Sequence, residues 1–188
     1  MEYTEALHEW TESLRQIHLP RWQELPTLSL YMDQVLVYIN DNLSFLNIEP
    51  VVEMEHEKRK EEKILTASMI NNYVKQRLIP KPEKKRYHRE QLACLIVYVL
   101  LKQVLPLTDI QKGIRIQLEV CGGDFEKAYD IFCRQLEVSF ACVSHMTFGQ
   151  FIEEETYSQM ARSNLGTSMA ALSLATKLYA QKVLSLNH

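Results

Sequence analysis

Apolar residues recur at three- and four-residue spacing along most of the chain, and this period predicts a succession of helices. Residues 3–17 place Tyr3, Leu7, Trp10, Leu14 and Ile17 on one side of a first helix. Residues 18–27 form a connection punctuated by Pro20 and Pro26, with Trp22 as its expected anchor. Ser29 stands where it could cap a second helix over 30–46, with Tyr31, Val35, Tyr38, Ile39, Asn42 and Leu46 near one stripe. Residues 49–63 are nearly all charged after Val52 and Met54 and have no apolar face, which suits an exposed helical turn or a linker. A third helix is expected over 66–76, capped by Thr66. The run LACLIVYVLLKQVL is apolar on nearly all sides, so a fourth helix, from His88 or Arg89 to Leu105, should be the central core helix. Pro106 breaks it, a fifth helix runs from Leu107 to about Cys121, and Gly122-Gly123 closes that helix. Asp124 caps a sixth helix over 125–145, with Phe125, Tyr129, Phe132, Leu136 and Val143 at heptad-like spacing. A weaker helix is expected over 148–162. In the last, over 166–186, Leu165, Met169, Leu172, Thr176, Tyr179, Val183 and Leu186 alternate by four and three. That is an a/d seam, suited to dimerisation or to packing on the sixth helix.

Composition agrees with an all-α fold, because glycine is scarce and none occurs before Gly113. The expected organisation is an N-terminal helix and connection (1–28), a helix-turn-helix domain (29–121) and a helical C-terminal region for dimerisation or sensing (122–188). No apolar run reaches the ~20 residues that a membrane span needs. The acidic N-terminus lacks a signal-peptide core, so the expected location is cytoplasmic. Cys94, Cys121, Cys133 and Cys142 form no CxxC pair and read as reduced core residues.

Charge is where the picture sharpens. Residues 63–90 carry eight cations and two carboxylates, a net +6 on a chain whose net charge is −3. A basic island on an acidic chain is the footprint of polyanion contact. Within it the third helix puts Met69, Ile70, Tyr73 and Val74 on one face and Ser68, Asn71, Asn72, Lys75 and Gln76 on the other. A solvated helix face usually carries Glu and Lys. This one carries amides, and Asn and Gln are the side chains that pair bidentately with the adenine edge in the major groove. After Pro80 and Pro82 come Lys81, Lys84, Lys85, Arg86 and Arg89, suited to phosphate.

These residues resemble the DNA-binding domain of MerR-type regulators. There a recognition helix ends in Tyr, two apolar residues and Pro follow, and a basic wing, a core helix and a Leu-x-acid-Ile helix start come next. The matching residues are Ile70, Asn71 and Tyr73, then Leu78-Ile79-Pro80, Lys84-Lys85-Arg86-Tyr87, Leu92 and Leu95, and Leu107-Thr108-Asp109-Ile110. The span from Leu28 to about Ile114 is similar to the YkrK-like family of Gram-positive bacterial proteins, which carry a domain of unknown function. The resemblance implies a winged helix-turn-helix and a transcriptional regulator of double-stranded DNA, acting as a homodimer. Three departures stand out: Asn71 where Arg is usual, Arg77 where Gly usually ends the helix, and the charged stretch 49–63 inside the helix-turn-helix.

Other chemistry is weaker. Cys142 and His145 lie three apart, with Cys133 and Cys121 as further thiols, but a zinc site wants two such pairs, so neither metal nor cofactor is expected. Gly122-Gly123 lacks the GK[ST] of a phosphate loop. Glu153, Glu154 and Glu155 are adjacent and cannot share a face, and no nucleophile–base spacing is visible, so the chain does not read as an enzyme. Phe125, Tyr129, Phe132, Phe140, Phe148, Phe151 and Tyr157 could line a small-molecule effector pocket. The rival to DNA binding is a protein–protein interaction module of the same fold.

Overall fold

The computed structural model describes residues 2–47, 63–147 and 165–186. It is all-α, with seven α-helices and no strand among the described residues. They are α1 (Glu2–Arg15), α2 (Met32–Asn42), α3 (Ala67–Lys75), α4 (Arg89–Leu101), α5 (Leu107–Val120), α6 (Phe125–Thr147) and α7 (Leu165–Ser185). Short 3-10 turns at Trp22–Glu24 and Ser44–Leu46 precede and follow α2. The expected helix over 148–162 and nearly all of the charged stretch 49–63 lie outside the described residues.

The all-round apolar α4 is the axis of the core, as its sequence required: Leu92, Leu95, Ile96, Tyr98, Val99 and Leu100 are fully buried. It ends at Leu101 rather than Leu105. A turn over 102–105 intervenes, because Pro106 disfavours helical dihedrals at Leu105 and instead caps α5. One continuous hydrophobic cluster runs from Leu14 through α2, α3 and α4 to Tyr179, so residues of all three expected regions share it.

The N-terminal connection is stapled to α6. Arg21 makes a two-pronged ion pair with Glu137, whose Oε1 also accepts from the Leu19 N–H at 2.9 Å. The Trp22 N–H donates to Asp130 at 2.8 Å, which supplies the expected anchor through the backbone. Burial lowers the Arg21 pKa, but the bonds and charge of Glu137 outweigh it, and the net shift is upward.

Two expected helix features are corrected. Ser29 does not cap α2. Leu30 pairs with Tyr87 instead, with N–H to O distances of 2.9 and 2.8 Å, and this bridge fixes the chain as extended until Tyr31. The helix therefore starts at Met32, with the Tyr31 N–H held by Gln34 Oε1 at 2.9 Å. Its inner stripe is Val35 and Ile39, whereas Tyr31 and Asn42 face outward.

The α7 stripe is rotated from the a/d seam. The buried positions are Ser168, Ala170, Ala171, Leu174, Ala175, Leu178 and Tyr179, and among the described helices α7 packs most extensively on α6. Small side chains let the two helices approach, and the buried Ser168 hydroxyl donates to Gln135 at 2.9 Å. Of the seam residues, Leu165, Met169 and Thr176 are exposed, and Leu172, Val183 and Leu186 are half-buried. Tyr179 is buried within the chain, its ring edge-on to Trp10 at 5.0 Å.

Candidate nucleic-acid interface

Helix α3 starts as its sequence demands: Thr66 Oγ1 accepts from the Met69 N–H at 3.3 Å. Ile70 and Tyr73 are buried, the Tyr73 ring lying 5.5 Å from that of Tyr98 on α4. This fixes the rotation of the helix. Ser68, Asn71, Asn72, Lys75 and Gln76 are all exposed. Asn72 Oδ1 accepts from Gln76 Nε2 at 3.0 Å, an i,i+4 pair that aligns two amides one turn apart.

The start of α3 is held by two side chains that sequence reasoning passed over. Asn40 of α2 treats Leu65 as a strand neighbour would: its Oδ1 accepts the Leu65 N–H at 3.1 Å and its Nδ2 donates to the Leu65 carbonyl at 3.0 Å. From the end of α4, Lys102 donates to the Ile64 carbonyl at 2.9 Å, and its burial lowers its pKa. The placement of α3 against α2 thus rests on these bonds and on buried Ile70 rather than on a short turn.

The end of α3 is left-handed at Arg77, with φ of 58°. The Leu78 N–H reaches back to the Tyr73 carbonyl at 2.9 Å and the Arg77 N–H to Val74 at 3.1 Å. That is a Schellman closure, repeated after α5 with Gly122 in the left-handed position. Arg77 adopts without glycine the geometry that glycine usually supplies, and it is exposed beside the amide face. Its carbonyl is gripped by Gln111 at 3.2 Å.

Buried Ile79 then turns the chain into a tight hairpin. Glu83 and Arg86 exchange backbone hydrogen bonds of 3.1 and 2.8 Å, and the two tip residues, Lys84 and Lys85, have φ of 47° and 64°. Two positive φ values in a two-residue loop normally call for Asn-Gly. Lysines held there cost stability, and strain of this kind gathers at functional sites. Arg86 lies on the ring of Tyr31, 4.4 Å from its centre, and donates to the Tyr31 hydroxyl at 2.8 Å. Gln91 of α4 supports the base of the hairpin, accepting from the His88 N–H at 2.9 Å and donating to the Lys81 carbonyl at 3.5 Å.

Among the described residues, none of Lys75, Arg77, Lys81, Lys84, Lys85 and Arg86 is ion-paired, although the chain as a whole is acidic. Arg89 is placed differently. It is half-buried and donates to the carbonyls of Leu25 and Gln23 at 3.2 and 3.5 Å, so its guanidinium ties α4 to the N-terminal connection. The structure therefore gathers nine of the ten expected contact residues with Arg77 on α3 and the hairpin, and turns Arg89 toward the fold. Arg77 stood out in the sequence only as a departure where glycine is usual, and its φ now shows why that position matters. Tyr31 carried no signal of this role, which only its stacking with Arg86 marks.

The thiols are core groups. Cys121, Cys133 and Cys142 are buried, and burial pushes Cys94 and Cys133 up to about 12. Among the described residues no group of three or more His, Cys, Asp or Glu side chains is gathered as a metal site. Of the aromatics suggested for a pocket, Phe125, Tyr129 and Phe132 line a common cavity, and Phe140 lies apart, edge-on to Phe45 at 5.8 Å. Phe148, Phe151 and Tyr157 lie outside the described residues. No described helix is long and apolar enough to cross a membrane.

This all-α protein thus exposes an amide-bearing helix face and, a few residues on, a basic hairpin. The chain belongs to the family described as Domain of unknown function (DUF1836), whose model matches residues 20–132. No curated protein and no solved structure matches it. The match takes in α2 through the first part of α6, and so the whole of the candidate interface.

Proposed function

We propose that this protein is a sequence-specific DNA-binding regulator of the winged helix-turn-helix kind, similar to MerR-type regulators. In this reading α2 and α3 are the helix-turn-helix, and α3 enters the major groove. The hairpin at 83–86 is the wing, which tracks the phosphate backbone. One observation carries it: the outward face of α3 is made of Ser68, Asn71, Asn72, Lys75 and Gln76, and none of the cations of α3 and the hairpin is ion-paired among the described residues. Amides on a buried-backed helix can read base edges, and unpaired cations release counterions from DNA. The strained Lys84-Lys85 tip aims two positive charges outward from a rigid loop, which lowers the ordering cost of phosphate contact.

The test is selection of bound fragments from random duplex DNA, with wild type and Asn72→Ala compared. A bidentate base contact discriminates by about 1–3 kcal/mol. The expected outcome is an enriched motif for wild type that loses preference at one position in the variant, with non-specific affinity within about twofold. Identical motifs from both proteins would show that α3 does not read bases through Asn72.

A further inference from the structure

A second feature lies between α4 and the helices that follow it. The helices α4, α5, α6 and α7 leave between them a cavity of about 140 Å³, walled by Val97, Gly113, Gln117, Phe132 and Ala170 among others. The wall is overwhelmingly apolar, and an apolar cavity of about 150 Å³ is large enough to hold benzene. One detail distinguishes it from a simple packing fault. Gln117 of α5 is 94 % buried, its Oε1 accepts from Thr167 at 3.3 Å, and among the described residues its amide N–H₂ has only the Cys121 sulfur at 3.8 Å. A buried amide donor so poorly matched is a place for an oxygen acceptor.

We propose that this cavity is a binding site for a small neutral or cationic molecule with an aromatic ring or short branched chain and one oxygen acceptor. The apolar body would fill the space between Val97 and Phe132, and the acceptor would take the Gln117 N–H₂. Among the described residues Asp109 is the one charged side chain on the wall and no Lys or Arg lines it, so carboxylate-bearing molecules are disfavoured. The site stands on its own geometry and does not depend on DNA binding.

The experiment is a titration of the full chain with benzyl alcohol, followed through the ¹³C-methyl resonances of Ala93, Ala128 and Ala170, all on the cavity wall. Saturable shifts confined to these methyls, with a Kd below about 1 mM, are expected. Ala170→Val, which adds bulk at a buried position of the wall, should weaken binding by at least about tenfold with unchanged helical circular dichroism. If that variant does not fold, Ala128→Val, at another buried position of the wall, is read in the same way. Phenylacetate at equal concentration should leave the methyls unshifted. Absence of saturable shifts, equal binding by the filled variant, or equal binding of phenylacetate would each overturn the proposal.

Discussion

Arg77 shows how much a single residue can reveal. Its left-handed backbone costs a non-glycine residue about 1 kcal/mol or more, yet the two Schellman bonds are made all the same. Arg77→Gly is therefore expected to stabilise the fold by about 0.5–1 kcal/mol in urea unfolding while removing close to one unit of salt slope from DNA binding. A variant that gains stability with its DNA affinity intact would show that Arg77 serves only the chain. Asn40 makes the opposite case, a residue with nothing to offer DNA. Its two bonds to Leu65 substitute for the short turn that the chain lacks. Asn40→Ala leaves both backbone groups without that partner and should destabilise by about 2–3 kcal/mol. Denaturant midpoints check this, and a loss below about 0.5 kcal/mol would mean that Ile70 and Lys102 suffice to seat α3.

Among the elements, α3 and α4 were legible because their patterns are local. A 3.6-residue period separates Ile70 and Tyr73 from the amide face, and an all-round apolar run has nowhere to go but the core. The start of α2 was not legible, since what displaces Ser29 from capping is a bridge to Tyr87, 57 positions away from Leu30. For α7 the pattern itself misled. Large side chains stand on both stripes: the seam holds Leu172 and Tyr179, and the buried stripe holds Leu174 and Leu178 beside Ser168, Ala171 and Ala175, whose small size permits close approach. Both stripes keep a four-three spacing, and sequence alone gives no reason to prefer either. The hairpin fell between these cases. Its charges were plain, but nothing in Lys84-Lys85 announces two left-handed residues. The amide clamp of Asn40 and the stacking of Arg86 on Tyr31 were likewise invisible, because each joins positions far apart in the chain.

The whole molecule shares one core, and its buried ionisable groups give it a predictable response to pH. Burial raises Cys94 and Cys133 from 9.0 to about 12, and it raises Cys142 and several tyrosines as well. A group whose folded pKa lies above its unfolded value contributes stability that is complete below the unfolded pKa. That stability is then lost as pH rises toward the folded value. The protein should accordingly hold its stability to about pH 9 and weaken between there and pH 12, each buried thiol removing on the order of 2 kcal/mol by pH 10.5. Thermal melts at pH 8 and 10.5 check this. Replacing Cys94 and Cys133 together by alanine should flatten the decline, and an unchanged decline would assign it to the tyrosines.

A basic island on a chain of net charge −3 is, in the function proposed above, the DNA-binding surface. The most direct measurement is the affinity for random duplex DNA as a function of salt, in wild type and in Lys84→Ala with Lys85→Ala. Each phosphate contact adds close to 0.9 to the slope of log K against log salt, and the wing, Lys75, Lys81 and Arg77 together offer about four to six. The predicted result is a wild-type slope of about −4 to −5, reduced by nearly two units in the double variant with its melting temperature held or raised. A slope near zero in the wild type, or an undiminished slope in the variant, would contradict the account.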